Sequence, residues 1–211
     1  MDVTAYKVHK HYGRSSALGL WQQQIVWNPA AASSTAVHAA AALSAVGTTL
    51  TLNSGFTAPD RPRALRYVLV DANASIARVV VTTYGTDFWR EPQKETVYIT
   101  AAGTVEGNLA FRTVTHQTLL VQQATAVDGG DTVSTGYNDK FGLCQRIGAT
   151  TDVLSILEGE IEAGSGAAVD ALAVDAGTIS AAYHTVDPVI AANGVKDFVF
   201  EVMSTYGMNG P

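Results

Sequence analysis

Apolar and polar residues alternate along most of this chain, and from residue 48 onward the alternation has the period of a β-strand rather than that of a helix. Thr49-Leu50-Thr51-Leu52 alternates directly, and Ala64-Leu65-Arg66-Tyr67-Val68-Leu69-Val70 is short and β-rich. Residues 77–84 carry Val79-Val80-Val81-Thr82-Thr83, residues 95–100 place Val97 and Ile99 on one side, and residues 111–123 are rich in Thr, Val and Leu. A last strand is predicted over residues 198–203, with Phe198, Phe200 and Val202 facing a core. Between these segments stand residues that tolerate positive φ: Asp71-Ala72-Asn73, Ala102-Gly103, Asp128-Gly129-Gly130-Asp131, Gly136-Tyr137-Asn138-Asp139 and Asn193-Gly194. The fold class predicted is mainly β, an antiparallel β-sandwich or jelly roll with an N-terminal arm, and spacing alone does not separate the two architectures.

Two stretches fit two structures each. Residues 33–46 suit a helix capped by Ser33 or Ser34 ahead of an Ala-rich run, or an extended arm. Residues 152–163, with Leu154, Ile156, Leu157 and Ile161, suit a short helix or a hairpin turning at Glu158-Gly159. Residues 163–177 are small and Gly/Ala-rich, as in a loop. The expected division is an arm over residues 1–35 and a sandwich or jelly-roll body over residues 36–211, with no internal repeat.

Composition narrows the partners. At 211 residues and 47% hydrophobic, the chain is long enough to bury its own core without a metal or disulfide staple. Cys144 stands alone, so no intrachain disulfide is available. A formal charge of −6 argues against nucleic acid as a partner, because phosphate binding needs clustered Lys and Arg. No run approaches the ~18 apolar residues of a membrane span, and the first residues lack the apolar stretch of a secretory signal. Charge is polarised, however: Lys7, Lys10 and Arg14 face only Asp2 within the first sixteen residues, beside His9 and His11.

Catalytic signatures are missing. The chain has no Gly-x-Ser-x-Gly elbow, His-Glu-x-x-His helix, phosphate loop or dinucleotide fingerprint, so the expectation is a protein that is not an enzyme and uses no cofactor or metal. His9 and His11 would share one side of an extended segment, a geometry open to a metal but more in keeping with a solvated basic arm. Cys144 sits among apolar neighbours as a buried small hydrophobe. Asp128-Gly129-Gly130-Asp131 is too sparse in acid for a calcium loop and reads as a turn. Glu158, Glu160 and Glu162 would line one side of a strand as a solvated face, and Asn73-Ala74-Ser75 is turn chemistry despite matching a glycosylation sequon. Trp21 and Trp27 are large apolar residues ahead of the strand pattern. With Lys7, His9, Lys10, His11 and Arg14 they form the candidate partner-contact set, the basic residues steering and the tryptophans anchoring.

Asn28-Pro29-Ala30-Ala31-Ala32-Ser33-Ser34-Thr35-Ala36-Val37-His38-Ala39-Ala40 and Thr57-Ala58-Pro59-Asp60-Arg61-Pro62-Arg63 resemble segments of tailed-phage virion proteins. So do Asp128-Gly129-Gly130-Asp131-Thr132-Val133, Asp139-Lys140-Phe141-Gly142-Leu143 and Ala192-Asn193-Gly194-Val195-Lys196-Asp197-Phe198. The similarity spans residues 28–206 and is to capsid decoration (cement) and head-fibre proteins. It implies a jelly-roll or β-sandwich homotrimer on the capsid exterior, with the major capsid protein as partner, assembled in the host cytoplasm. It carries no catalytic residue. The competing expectation is a carbohydrate-binding or host-attachment β-sandwich, for which Trp89 beside Arg90, with Tyr84, would supply an aromatic platform.

Overall fold

The computed structural model describes residues 8–11, 21–26, 28–159 and 173–203. These residues form β-strands in antiparallel sheets and include no α-helix, so the chain is mainly β, as its periodicity predicts. In chain order the strands are β1 (Val8–His11), β2 (Trp21–Val26), β3 (Ser33–Ala42), β4 (Thr49–Leu52), β5 (Arg63–Val70), β6 (Ile76–Thr86), β7 (Pro92–Ile99) and β8 (Gly103–Phe111). There follow β9 (Thr113–Ala124), β10 (Thr132–Gly142), β11 (Val153–Gly159), β12 (Ala173–Val174), β13 (Thr178–Ser180), β14 (Thr185–Asp187) and β15 (Asp197–Met203). They fall into two compact units, Ala32–Gly142 and Met1–Ala31 with Leu143–Pro211.

The Ala32–Gly142 unit is a rolled-up hairpin. Its eight strands pair first with last: β3 with β10, β4 with β9, β5 with β8, and β6 with β7. Rolling this double strand adds two further ladders, β10 with β5 and β6 with β9. Within this unit the strands are ordered β3-β10-β5-β8 and β4-β9-β6-β7, which is the strand order of a jelly roll. The architecture left open by the sequence is thereby resolved for this unit.

Alternation explains the core. Leu65, Tyr67 and Leu69 of β5, Val79 and Val81 of β6, Leu119 and Val121 of β9, and Val133 of β10 are all buried at every second position. A chain of buried hydrogen bonds crosses between the sheets. Tyr67 Oη lies 2.9 Å from Thr83 Oγ1, Gln117 Nε2 donates to Thr83 Oγ1 at 2.8 Å, and Thr135 Oγ1 donates to Gln117 Oε1 at 3.1 Å. Each polar group thus has a partner, as burial requires. Burial first, and the nearby Glu95 charge second, hold the Tyr67 phenol protonated far above its usual range.

The free edge of β8 is covered by side chains rather than by another strand. Gln93 Nε2 donates to the Ala110 carbonyl at 2.8 Å, while Glu95 Oε1 accepts from the amides of Asn108 at 2.6 Å and Leu109 at 3.2 Å. Glu95 lies against Gly107, where a Cβ would collide with its carboxylate. Burial raises the Glu95 pKa, while the two amides and Lys140 work against that rise.

The second unit is a five-stranded antiparallel sheet in the order β1-β2-β15-β11-β12, with β13 and β14 forming a hairpin. Register puts Phe198 opposite Val26, Phe200 opposite both Gln24 and Ile156, and Val202 opposite Val153, and all of these are buried. The phenylalanine side of the last strand is therefore a core side, although Val199 on the other side is buried as well. Buried aspartates pin the loops. Asp152 accepts the amides of Gly148 and Ala149 at 2.7 and 3.0 Å, Asp175 those of Val189 and Ile190 at 2.8 and 3.0 Å, and Asp197 that of Asn28 at 2.9 Å.

Several local expectations change. Residues 33–42 are neither helix nor loose arm but the strand β3, because pairing with β10 outweighs the modest helix preference of alanine. Gly136-Tyr137-Asn138-Asp139 is not a turn but the interior of β10. Gly136 is needed there for another reason: the Ser33 carbonyl of β3 occupies the space a Cβ would take. Residues 153–159 are a strand after a single 3-10 turn, and residues 173–174 of the expected loop form β12. The stretch read as an arm contributes β1 and β2, with Gln24 and Val26 fully buried and Gln24 Oε1 accepting the Cys144 amide at 2.6 Å.

Candidate functional site

The outward positions of the β4-β9-β6-β7 sheet carry the most distinctive surface chemistry. Since the inward positions of these strands are buried, the register alone fixes what stands side by side on the other face. One row runs Thr51, Thr118, Thr82, Thr96 across the four strands. The hydroxyls of Thr82 and Thr96 are 3.1 Å apart and hydrogen-bonded. The next row places Tyr84 between His116 and Lys94, and on the other side of the threonines Val80 stands between Leu120 and Tyr98.

Rings and cations pair on this face. Tyr84 and His116 stack at 4.1 Å with only 10° between their planes, and the Lys94 ammonium lies 5.8 Å from the Tyr84 ring. The Arg78 guanidinium sits 4.7 Å over Tyr98, whose side chain is half exposed. Among the described residues neither Lys94 nor Arg78 forms an ion pair, and Arg78 Nε has no hydrogen-bond partner. The outward residues of the four strands include no Asp or Glu, the one acid of β7, Glu95, being turned inward.

The β6–β7 hairpin tip extends the Tyr84–Lys94 end. Asp87 Oδ1 accepts the Glu91 amide at 2.8 Å, and Arg90 adopts φ +68, a left-handed conformation uncommon outside glycine. Phe88 and Trp89 meet edge to face at 5.8 Å. Of the two residues of the expected aromatic platform, Tyr84 stacks on His116 and Trp89 meets Phe88.

The partner-contact residues named from sequence fall largely elsewhere. Lys7, Arg14 and Trp27 lie outside the described residues, and His9, Lys10, His11 and Trp21 are placed by backbone alone, paired with Gln23, Gln22, Trp21 and Met203 respectively. Cys144 is part-buried and its thiol is pushed up to about 11 by that burial, so it stays protonated and poorly nucleophilic at neutral pH. Asp131 is fully buried, accepting the amides of Ala72 and Asp128 at 2.9 and 2.8 Å, which makes Asp128-Gly129-Gly130-Asp131 a clamped turn. Asn73 Oδ1 accepts the Ser75 amide at 3.1 Å, again turn chemistry. Glu158 pairs with Lys196 at 2.5 Å, while Glu160 and Glu162 lie outside the described residues. Among the described residues no three His, Cys, Asp or Glu are grouped to hold a metal ion.

Among the described residues Arg63 is one of the largest fully buried side chains. It bonds the Asn138 carbonyl at 2.7 Å, Asp139 at 2.8 Å and Asp60 at 3.2 Å, with its guanidinium near the rings of Tyr137 and Phe141. It is an internal fastener, with Nε and both terminal nitrogens engaged. Sequence reasoning found Tyr84 on the outward face but missed the threonine row, Lys94, Arg78 and His116. Their signal is the register of four strands, which no local window contains.

No protein-family model matches this chain, and no curated protein and no solved structure does so either.

Proposed function

We propose that this chain is a structural, adhesive component of a virus particle: a decoration protein that binds the outer surface of a tailed-phage capsid and adds intersubunit contacts there. The observation that carries the proposal is the jelly-roll strand order of residues 32–142, one of the two architectures implied by the resemblance to decoration and head-fibre proteins. Fold alone does not fix function, so the segment resemblance remains the second support. On this reading the partner is the major capsid protein, the working form is a homotrimer, and adhesion replaces catalysis. Lys7, Lys10 and Arg14 speed encounter with an acidic shell, and Trp21 and Trp27 slow release.

Mass spectrometry of purified virions from the source tests the proposal by counting copies per particle. Hundreds of copies are the expected result. A dozen or fewer would point to a portal or tail part, and absence from the particle would overturn the virion reading. A truncation testing the basic segment must stop before Trp21, because β2 lies between β1 and β15 in its sheet.

A further inference from the structure

We infer that the outward face of the β4-β9-β6-β7 sheet is a binding surface for an acidic polysaccharide, a chain of sugars bearing carboxylates. Charge is the first argument. In a protein of formal charge −6, this face has Arg78, Lys94 and the His116 imidazole at its outward positions and no carboxylate. Among the described residues Arg78 and Lys94 form no ion pair, and each lies beside a tyrosine ring instead. A carboxylate brought to the strand positions of this face meets cations, the nearest acids, Asp87 and Glu91, standing at the hairpin tip.

The second argument is the chemistry between the cations. Thr51, Thr118, Thr82 and Thr96 stand side by side at the ~4.8 Å interval of neighbouring strands. Each hydroxyl is one donor and two acceptors, so the row can exchange hydrogen bonds with a polyhydroxylated chain in many registers. Tyr84 and Tyr98 flank the row on either side, each an amphipathic ring with a cation beside it. Sugars offer apolar C–H faces to such rings and hydroxyls to the threonines.

Other polyanions fit less well. Nucleic acid calls for many clustered Lys and Arg to neutralise successive phosphates, whereas this face has two permanent cations. A tightly bound acidic protein calls for an aromatic or apolar anchor seated in a pocket, whereas here the apolar residues Val80, Leu120 and Tyr98 line one side of a row of hydroxyls on a sheet face. The inference does not rest on capsid binding, since a decoration protein and a free attachment module would display the same face.

The test is native affinity electrophoresis of the full chain in gels containing alginate, an acidic polysaccharide, or dextran, a neutral one. The expected result is retardation by alginate that weakens with added salt, and little retardation by dextran. Arg78→Gln with Lys94→Gln should weaken alginate binding about tenfold or more. Thr82→Val should weaken it without changing the salt dependence. Arg66→Gln, on the other sheet, should leave it unchanged. Circular dichroism of each variant verifies the fold. Three results would overturn the inference: no retardation by alginate, equal retardation by dextran, or full binding by a folded Arg78→Gln/Lys94→Gln variant. None of them bears on the copy number in virions, so the two readings stand or fall separately.

Discussion

The two units of this protein secure their chains by different means. In residues 32–142, strands pair in long ladders, and alternate side chains fill the space between two sheets, with one polar chain through Tyr67, Thr83, Gln117 and Thr135. In the unit that includes residues 143–211, several strands are only two or three residues long, and loops are held by Asp152 and Asp175, buried carboxylates each accepting two backbone amides. The first unit also has a buried carboxylate accepting two amides, Asp131, but there it supplements long ladders, whereas in the second unit such bonds fasten loops beside very short strands. A single substitution should therefore have a diffuse effect in one unit and a local one in the other, except where the jelly roll depends on a missing side chain.

Gly136 is that exception and should give the largest effect. Gly136→Val drives a branched side chain into the Ser33 carbonyl, separating β3 from β10, and is expected to cost more than about 3 kcal/mol in chemical denaturation. Hydrogen exchange should show β3 amides losing protection first. Asp175→Ala should follow. It strips the acceptor from the amides of Val189 and Ile190, for an expected loss of about 2–4 kcal/mol. The contrast between the units predicts that this loss appears in exchange rates of residues 173–203 and leaves the β5, β6 and β9 amides protected. A uniform loss across both would mean that the units unfold together.

Tyr67→Phe removes one end of the buried polar chain and should cost about 1 kcal/mol, because Thr83 keeps its bond from Gln117. The smallest effect is expected from Glu95→Gln and is seen as pH dependence. The folded carboxyl has a pKa raised from 4.5, chiefly by burial, so the folded state holds its proton to higher pH than the unfolded state does. Its favourable contribution is complete below 4.5 and is lost as pH rises through the folded value. Glu95→Gln should flatten the fall in stability over that window, and identical pH profiles for the two proteins would show that the carboxyl is not so perturbed.

The same contrast explains what was legible in the sequence. β4, β5 and β6 stand out because alternation and β-branched residues mark strands whose two faces differ. β3 was ambiguous because its alanines suit a helix, and only Val37 among them is buried. β10 is interrupted along the sequence by Gly136, Asn138 and Asp139, residues that ordinarily signal turns. Here they serve packing and polar contacts: Asp139 meets Arg63, and Asn138 Nδ2 donates to Glu106 at 3.1 Å. The pairing of β3 with β10 spans some ninety residues and leaves no local trace, so jelly roll and sandwich looked alike. For the same reason the outward face was visible only as an isolated Tyr84. Short strands and loop-fastening aspartates have no periodicity to read at all.

The side-chain seal over β8 has a consequence for how the chain meets other chains. An open strand edge invites growth by backbone pairing. Gln93 and Glu95 engage the backbone groups of Ala110, Asn108 and Leu109 that such growth would start from. At this edge the backbone is closed to strand addition, and any contact made there is made by side chains.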